Sequence, residues 1–308
     1  MEGRMWPIQG LSKAKRLKWG APQNHVSWAF MTQLRERDRY VRVYDVCPYI
    51  EVYPFRENVY GLFNQNCDGA GDVWMYVVIG PEKAMVIDTG FGIGNVKGLV
   101  DELTGGMPLV VANTHSGPDH CMGNVRFERV YCHKYCVPNI TRKCAPGAWD
   151  YLFDQDGNNI WLQFDKQDVP QYRDYELIPV ENHHMFNLGG DHNVELVWQP
   201  GHDSGHAMFL DHKTRILFAG DDVCSDVIAC GSGGRGGGRE GRRQLTCSNF
   251  GEIVLGDFPD GLDWAWKVKK TNTDLPIDRA LHEDGTGKNY HMGLGFVPRY
   301  HIPDDSTD

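Results

Sequence analysis

The sequence predicts an α/β protein, and two observations carry that prediction. Residues 73–79 and 84–88 are rich in Val, Ile, Met and Tyr, as strands are, and residues 95–103 follow with apolar side chains on one helical face. A second apolar run, residues 107–112, comes directly after this helix. Strand, helix and strand in succession are typical of α/β architecture.

The other elements follow from local composition. Residues 49–60 alternate between apolar and polar side chains, which predicts one long first strand. Residues 80–83 have the composition of a tight turn that makes a hairpin of the next two strands. Gly105 and Gly106 end the helix, since glycine is common just past a helix C-terminus. Further strands are predicted at residues 130–132, 194–198, 207–210 and 215–219, and further helices at residues 28–37 and 262–270.

The composition argues against several partners and locations. The chain has 308 residues, 41% hydrophobic and 23% charged, which is enough for a substantial core. Its net charge of -10 disfavours nucleic acid as a partner, and no apolar run approaches the length that spans a membrane. Residues 1–10 lack the basic-then-apolar pattern of a secretory signal, and the nine cysteines have no disulfide-type spacing. We therefore expect a cytoplasmic protein with reduced thiols.

The chain divides into three parts by composition. We expect residues 1–45 to form an N-terminal arm that packs on the main domain or on a neighbouring subunit, so a homodimer is a further expectation. Residues 46–300 form the main domain and residues 301–308 a polar tail. Within the main domain, an aromatic insertion at residues 126–180 could wall a substrate pocket or form a satellite core. The loop at residues 231–243 carries four arginines, which could bind an anion or only water.

Histidine and aspartate side chains follow the predicted strands repeatedly, several times next to glycine. The first cluster comes directly after the apolar run at residues 107–112, and later members follow three further apolar stretches. Imidazole and carboxylate groups are ligands that zinc, iron and manganese accept. Because the same arrangement recurs, the sequence predicts a metal site. Its candidate ligands are His115, Asp119, His120, His202, Asp221 and His282.

This arrangement resembles the metallo-β-lactamase-fold superfamily, whose pattern is HxHxDH, then Pro-Gly-His, then Gly-Asp after a strand, then a late His. The resemblance spans about residues 73–285 in the expected order. It implies a four-layer αββα sandwich, in which two sheets pack face to face with helices outside and a metal site at one edge. It implies no particular substrate. The matching stretches are Ile87-Asp88-Thr89-Gly90, residues 114–123, Pro200-Gly201-His202, Leu217-Phe218-Ala219-Gly220-Asp221 and Leu281-His282.

The resemblance also implies two metal positions. The first would be held by His115, the residue at position 117 and His202. Position 117 is Gly117, which has no side chain to donate, so this position is one ligand short. Asp221 would bridge the first position to the second.

The second metal position has a complete set of implied ligands. They are Asp119, His120 and His282, together with the bridging Asp221. The late motif departs from the family, because Glu283 follows His282 where glycine is usual.

Three functions fit these residues. The first is a lactonase- or esterase-like hydrolase, in which metal-activated water, oriented by Asp119, attacks an ester, lactone, thioester or amide bond of a small molecule. Zinc is the expected metal, as one or two ions, with iron or manganese as alternatives. The second is a mononuclear iron oxygenase using His115, His202 and Asp221, similar to the persulfide dioxygenases of the same superfamily. The third is an inactive or binding-only protein. The sequence indicates no substrate-binding residue.

Overall fold

The computed structural model describes residues 12–18, 40–65, 67–68, 73–200 and 202–222, and the short strands at residues 228–229, 243–244 and 252–254. Within these residues the chain forms two large β-sheets, two short two-stranded sheets and three α-helices. No helix among them combines the length and apolar composition that a membrane crossing requires. The helices are α1 (Val96–Thr104), α2 (Pro118–Cys121) and α3 (Val137–Lys143).

Among the described residues, strands and α-helices alternate only between residues 84 and 163, and elsewhere one strand follows another. In chain order they are β1 (Lys15–Arg16), β2 (Arg42–Tyr44), β3 (Cys47–Arg56), β4 (Val59–Asn64), β5 (Val73–Ile79), β6 (Ala84–Ile87), β7 (Leu109–Ala112), β8 (Arg129–His133), β9 (Leu162–Gln163), β10 (Glu176–Val180), β11 (Met185–Asn187), β12 (Asn193–Trp198), β13 (Ala207–Asp211), β14 (Ile216–Phe218), β15 (Ile228–Ala229), β16 (Arg243–Gln244) and β17 (Glu252–Val254).

The larger sheet has the strand order β10-β8-β7-β6-β5-β4-β3-β2. Strands β6, β7, β8 and β10 run parallel, whereas the strands from β6 to β2 pair antiparallel. The smaller sheet is antiparallel throughout, in the order β11-β12-β13-β14-β17. Because the carboxyl ends of parallel strands meet at one edge, residues that follow β6, β7 and β8 are brought together.

The two sheets pack face to face across an aromatic core. Successive side chains of a strand point to opposite faces, so the buried strand β5 contributes to two cores. Trp74 and Tyr76 point towards the smaller sheet, where the Tyr76 ring lies 4.8 Å from that of Phe218. Met75 points the other way and packs with Leu99 of α1. The structure is therefore an α/β sandwich, as the sequence predicts.

Helix α1 has the ends that its sequence indicates. Asn95 caps the N-terminus, since its side-chain oxygen accepts a hydrogen bond from the backbone N–H of Gly98 at 2.9 Å. Gly105 ends the helix with a φ of 64°, in the left-handed region that glycine adopts at little cost. Leu99 and Val100 are fully buried against the larger sheet.

The prediction of one strand over residues 49–60 is wrong. The structure has two antiparallel strands here, β3 and β4, joined at Glu57 and Asn58. Asn58 has a φ of 63°, and asparagine adopts this left-handed conformation more readily than most residues. The apolar alternation continues through both strands and conceals the turn between them.

The aromatic insertion forms a satellite core. Trp149 and Phe164 are buried with Phe91 and Met122, and the indole N–H of Trp149 donates to the Phe91 carbonyl at 2.8 Å. Tyr151, by contrast, has 46% of its surface exposed, and Tyr135 and Tyr172 of the insertion are exposed as well. The end of the insertion supplies β10, which extends the larger sheet.

A short N-terminal segment also packs on this insertion. Strand β1 pairs antiparallel with β9, and Lys13 forms an ion pair with Asp165. The rest of the predicted arm lies largely outside the described residues, as do the predicted helices at residues 28–37 and 262–270. The same holds for the polar tail at residues 301–308 and for most of the loop at residues 231–243.

Candidate metal centre

The candidate ligands lie at the edge where both sheets end. The loop after β7 leads through His115 into α2, which begins at Pro118, a residue whose fixed φ suits the first turn of a helix. His202 lies in the loop between β12 and β13, and Asp221 in a single 3-10 turn after β14. The backbone N–H of Ala207 donates to the Thr114 carbonyl at 2.8 Å and so joins the two sheets beside the site.

His115, His120 and Asp221 form the centre of the cluster. One ligand atom from each lies within 4.8 Å of the others, which makes them a candidate metal-binding group. Oδ1 of Asp221 lies 3.1 Å from Nε2 of His120, and Oδ2 lies 3.9 Å from Nε2 of His115. Ligand atoms about 2.0–2.2 Å from one ion lie within about 4.4 Å of each other. Either imidazole can therefore share an ion with Asp221.

Two more of the predicted residues border this centre. Nε2 of His202 lies 3.6 Å from Oδ2 of Asp221, and its ring centroid is 4.8 Å from that of His115. Oδ2 of Asp119 lies 3.8 Å from Nε2 of His120. The sixth predicted residue, His282, lies outside the described residues.

Asp88 holds the two buried imidazoles in place. Its Oδ2 accepts a hydrogen bond from Nδ1 of His120 at 2.7 Å and another from the Thr114 hydroxyl at 2.8 Å. Its Oδ1 accepts from the Thr114 backbone N–H at 2.8 Å. Since the Thr114 hydroxyl donates to Asp88, its oxygen is free to accept from Nδ1 of His115, 3.1 Å away.

These bonds determine which ring nitrogens are available to a metal. With Nδ1 of His115 and of His120 acting as donors, the Nε2 atom of each neutral imidazole carries the lone pair. Both Nε2 atoms are buried and make no hydrogen bond of normal geometry. Buried polar atoms without a hydrogen bond are costly in a folded protein. A cation bound by both would remove that cost, so the residues present fit a metal ion.

The charges of the cluster also favour a bound cation. Burial lowers the pKa of His120, but the carboxylates of Asp221, Asp88 and Asp119 outweigh it and raise that pKa well above its usual value. Burial would raise the pKa of Asp221, but the nearby His120 holds it well below its usual range. Without a metal, a protonated His120 therefore balances the surrounding carboxylates.

The remaining two groups have shifted pKa values as well. Burial, reinforced by the neighbouring His120, lowers the pKa of His115 well below its usual value. Burial raises the pKa of Asp119 to about 7; the proximity of Asp221 adds to this, while His120 opposes it. A neutral imidazole and a carboxyl that titrates near neutrality are both suited to metal and proton chemistry.

Gly117 faces the centre of this cluster. Its φ of -61° and ψ of 133° are open to any residue, so the backbone does not require glycine. A Cβ atom built there would lie 2.6 Å from Nε2 of His115 and 2.8 Å from Oδ1 of Asp119. The space of a side chain at position 117 is thus taken by the ends of two candidate ligands.

A second group of polar residues supports the ligand loop, and no sequence motif indicates it. The hydroxyl of Ser116 donates to Asp203, and the ammonium group of Lys143 donates to the Ser116 carbonyl at 2.7 Å. Asn113 donates through its side chain to the His120 carbonyl at 3.1 Å. These contacts hold both ends of the short segment that carries His115 and His120. Asp88 lay in a matching stretch of the sequence, but that stretch alone did not indicate which group it contacts.

Comparison with known proteins identifies the class. The family model of the metallo-beta-lactamase superfamily matches residues 68–271. That match covers more than half of the sequence, so the chain belongs to the metallo-beta-lactamase superfamily.

Among curated proteins, the chain is similar to an enzyme from vertebrates. It is 27% identical over 166 residues to the protein of Homo sapiens named acyl-coenzyme A thioesterase MBLAC2, and 26% identical over 167 residues to that of Gallus gallus. Each alignment covers 49% of this chain, and 58% and 57% of those proteins respectively. The chain thus matches less than two thirds of the length of these relatives.

Two solved structures show similarity to the chain at low sequence identity. One is a metallo-beta-lactamase family protein from Thermus thermophilus, 20% identical with a TM-score of 0.39, covering 56% of this chain and 62% of that one. Another is a metallo-beta-lactamase of Cronobacter sakazakii, 15% identical with a TM-score of 0.36, covering 53% and 57%. The assignment to the superfamily rests on the family model.

Proposed function

We propose that this protein is a metal-dependent hydrolase that cleaves thioesters of coenzyme A. The observation that carries the proposal is the convergence of the Nε2 atoms of His115 and His120 on the carboxylate of Asp221. The similarity to proteins named acyl-coenzyme A thioesterase supports the choice of a thioester among the carbonyl compounds that such a site can attack.

The metal we propose is zinc, as one ion held by His115, His120 and Asp221. His202 and Asp119 are the nearest further ligands, each within 4 Å of one of these three. A bound zinc ion lowers the pKa of a coordinated water towards about 7 and polarises a carbonyl group. Imidazole and carboxylate ligands suit this ion, and a site with few protein ligands leaves room for water.

The surrounding side chains have separate parts in the reaction. Asp119, whose pKa is raised to about 7, orients the attacking water through its carboxylate and accepts its proton. The same carboxyl can return a proton to the departing thiolate of coenzyme A. Asp88 and Thr114 keep the imidazoles in one orientation and tautomer, so that the reactive centre needs no rearrangement.

The iron oxygenase remains a second candidate because its ligands lie in the same cluster. Asp221 is 3.9 Å from His115 and 3.6 Å from His202, so these three side chains can also surround one ion. Elemental analysis of protein purified without chelator separates the two functions. The hydrolase is expected to contain zinc, whereas the oxygenase requires stoichiometric iron.

We also propose a small-molecule substrate, a cytoplasmic location and a homodimer. Five of the described cysteines are buried and form no disulfide, which agrees with a reducing compartment: Cys47, Cys121, Cys132, Cys136 and Cys144. Light scattering on the full chain, and on a chain without residues 1–45, would test whether the arm supports a dimer. A monomer in both cases would contradict the last proposal.

A substrate panel tests the thioesterase function. We expect thiol release from acyl-coenzyme A to be faster than hydrolysis of matched oxygen esters, lactones or amides. His120→Asn should abolish it, because the substitution removes the ligand nitrogen that faces Asp221. His183→Asn is a matched control, since His183 is an exposed histidine that contacts Glu195 instead. An equal loss of thioesterase activity in His120→Asn and His183→Asn would contradict the proposal. So would the absence of thioester turnover when zinc is supplied.

A further inference from the structure

Two cysteine thiols are in direct contact next to the metal centre. The Sγ atoms of Cys121 and Cys144 lie 3.3 Å apart, and both residues are almost entirely buried. Cys121 is the last residue of α2 and directly follows His120, whereas Cys144 immediately follows α3. The contact therefore joins the helix that carries two candidate ligands to the end of a neighbouring helix.

Hydrogen bonds favour one arrangement of the two thiol protons. Sγ of Cys144 donates to the Cys121 carbonyl at 3.5 Å, so the Cys121 thiol is the donor of the bond between the two sulfurs. That bond lowers the pKa of the Cys144 thiol. Of the two, Cys144 is the better nucleophile, because the thiolate is the reactive form.

We propose that Cys121 and Cys144 are an oxidisable pair that hydrogen peroxide converts reversibly into a disulfide. The Cys144 thiolate attacks one peroxide oxygen and breaks the O–O bond, which gives a sulfenic acid on Cys144 and hydroxide. The hydroxide takes up the proton that the Cys144 thiol lost and becomes water. The Cys121 sulfur then attacks the Cys144 sulfur, and the sulfenic oxygen leaves with the Cys121 proton as water. Two thiols lose two electrons and two protons, and one peroxide becomes two molecules of water.

The geometry favours this pair and a small oxidant. A disulfide requires the sulfurs, now 3.3 Å apart, to approach to about 2.0 Å. Because both thiols are buried, a small oxidant such as hydrogen peroxide reaches them more easily than a bulky disulfide such as oxidised glutathione. The thiols of Cys47 and Cys136 instead donate to the carbonyls of Ile93 and Gly205.

The disulfide would link the ligand-bearing helix covalently to α3. Lys143, the neighbour of Cys144, donates to the carbonyl of Ser116 at 2.7 Å, one residue beyond His115. The oxidised pair would therefore close a ring of covalent and hydrogen bonds around the segment that contains Gly117.

Mass spectrometry of the full chain tests the proposal. After brief treatment with hydrogen peroxide, we expect the protein to lose the mass of two hydrogen atoms and to regain it with dithiothreitol. Peptide mapping should place the cross-link between Cys121 and Cys144. The cross-link should be absent from Cys121→Ser and Cys144→Ser and present in the control Cys47→Ser, with circular dichroism confirming that each variant folds. A cross-link at other cysteines, or stable addition of oxygen at Cys144 without any cross-link, would overturn the proposal.

Discussion

Oδ2 of Asp88 lies 2.7 Å from Nδ1 of His120 and accepts a hydrogen bond from it. The same oxygen accepts from the Thr114 hydroxyl, which lies 3.1 Å from Nδ1 of His115. One buried carboxylate thus orients both imidazoles that face Asp221. Asp88 has a φ of 63°, so its backbone is in the left-handed region, where only a few residue types are common.

Asp88→Asn should weaken metal binding. Asparagine tolerates the left-handed backbone, but its amide replaces the charged acceptor that holds the proton of His120. Loss of such a supporting contact commonly reduces metal affinity by about 10–100-fold, and we expect a change in this range. Competition titration against a chelator of known affinity measures it.

Asp101→Asn provides the control for this substitution. Asp101 pairs with Lys97 on the surface of α1, so its loss should leave metal affinity unchanged. If Asp88→Asn bound metal as tightly as Asp101→Asn, Asp88 would have no part in positioning His120.

Gly117→His should raise the number of metal ions bound per chain from one to two. The Cβ atom at position 117 points at His115 and Asp119, so an imidazole there enters the cluster. With it, His115 and His202 can hold one ion while Asp119, His120 and Asp221 hold the other. Gly117→Ala adds a Cβ atom that crowds His115 and Asp119 but adds no ligand atom, so this variant should not bind a second ion. Elemental analysis of both variants gives the count. One ion in each variant would show that the missing side chain does not limit the stoichiometry.

Metal binding should release protons near neutral pH and become tighter as pH rises. His120 has a raised pKa and holds a proton in the metal-free chain, and Asp119 titrates at about 7. A metal displaces these protons, so the apparent affinity should increase by up to about tenfold per pH unit for each proton released. Calorimetry in buffers of different ionisation enthalpy counts the protons. Binding that releases none, or that weakens from about pH 6 to about pH 8, would contradict these protonation states.

Trp149→Ala should destabilise the fold. Trp149 is buried in the satellite core and donates to the Phe91 carbonyl, and removing such a side chain costs about 3–5 kcal/mol in the free energy of unfolding. Tyr151→Ala, two residues on, removes a half-exposed ring and should cost less than about 1 kcal/mol. Denaturant unfolding of both variants compares them. Similar losses would mean that Trp149 is not part of the core of the insertion.

The sequence predicted most of the strands, because they follow from local patterns, and the metal site that it indicates stays a prediction. His115, His202 and Asp221 each come at the end of an apolar strand, and the fold brings those ends to one edge. The turn at Asn58 was missed because the alternation runs through it. The role of Asp88 was missed because it depends on a contact with a residue 32 positions away. Whether the aromatic insertion walls a pocket or forms a satellite core depends on how its side chains pack. The burial of Trp149 cannot be read from composition alone.

Restoration of activity with metal tests the central claim most directly. Thiol release from an acyl-coenzyme A is measured before chelator treatment, after it, and during stepwise addition of zinc. We expect the stripped chain to lose nearly all of its activity, because the metal supplies the activated water. One equivalent of zinc should restore it in the natural chain but not in a folded His120→Asn variant. Full activity in the stripped chain, or equal recovery in the variant, would contradict a metal-dependent thioesterase built on His115, His120 and Asp221.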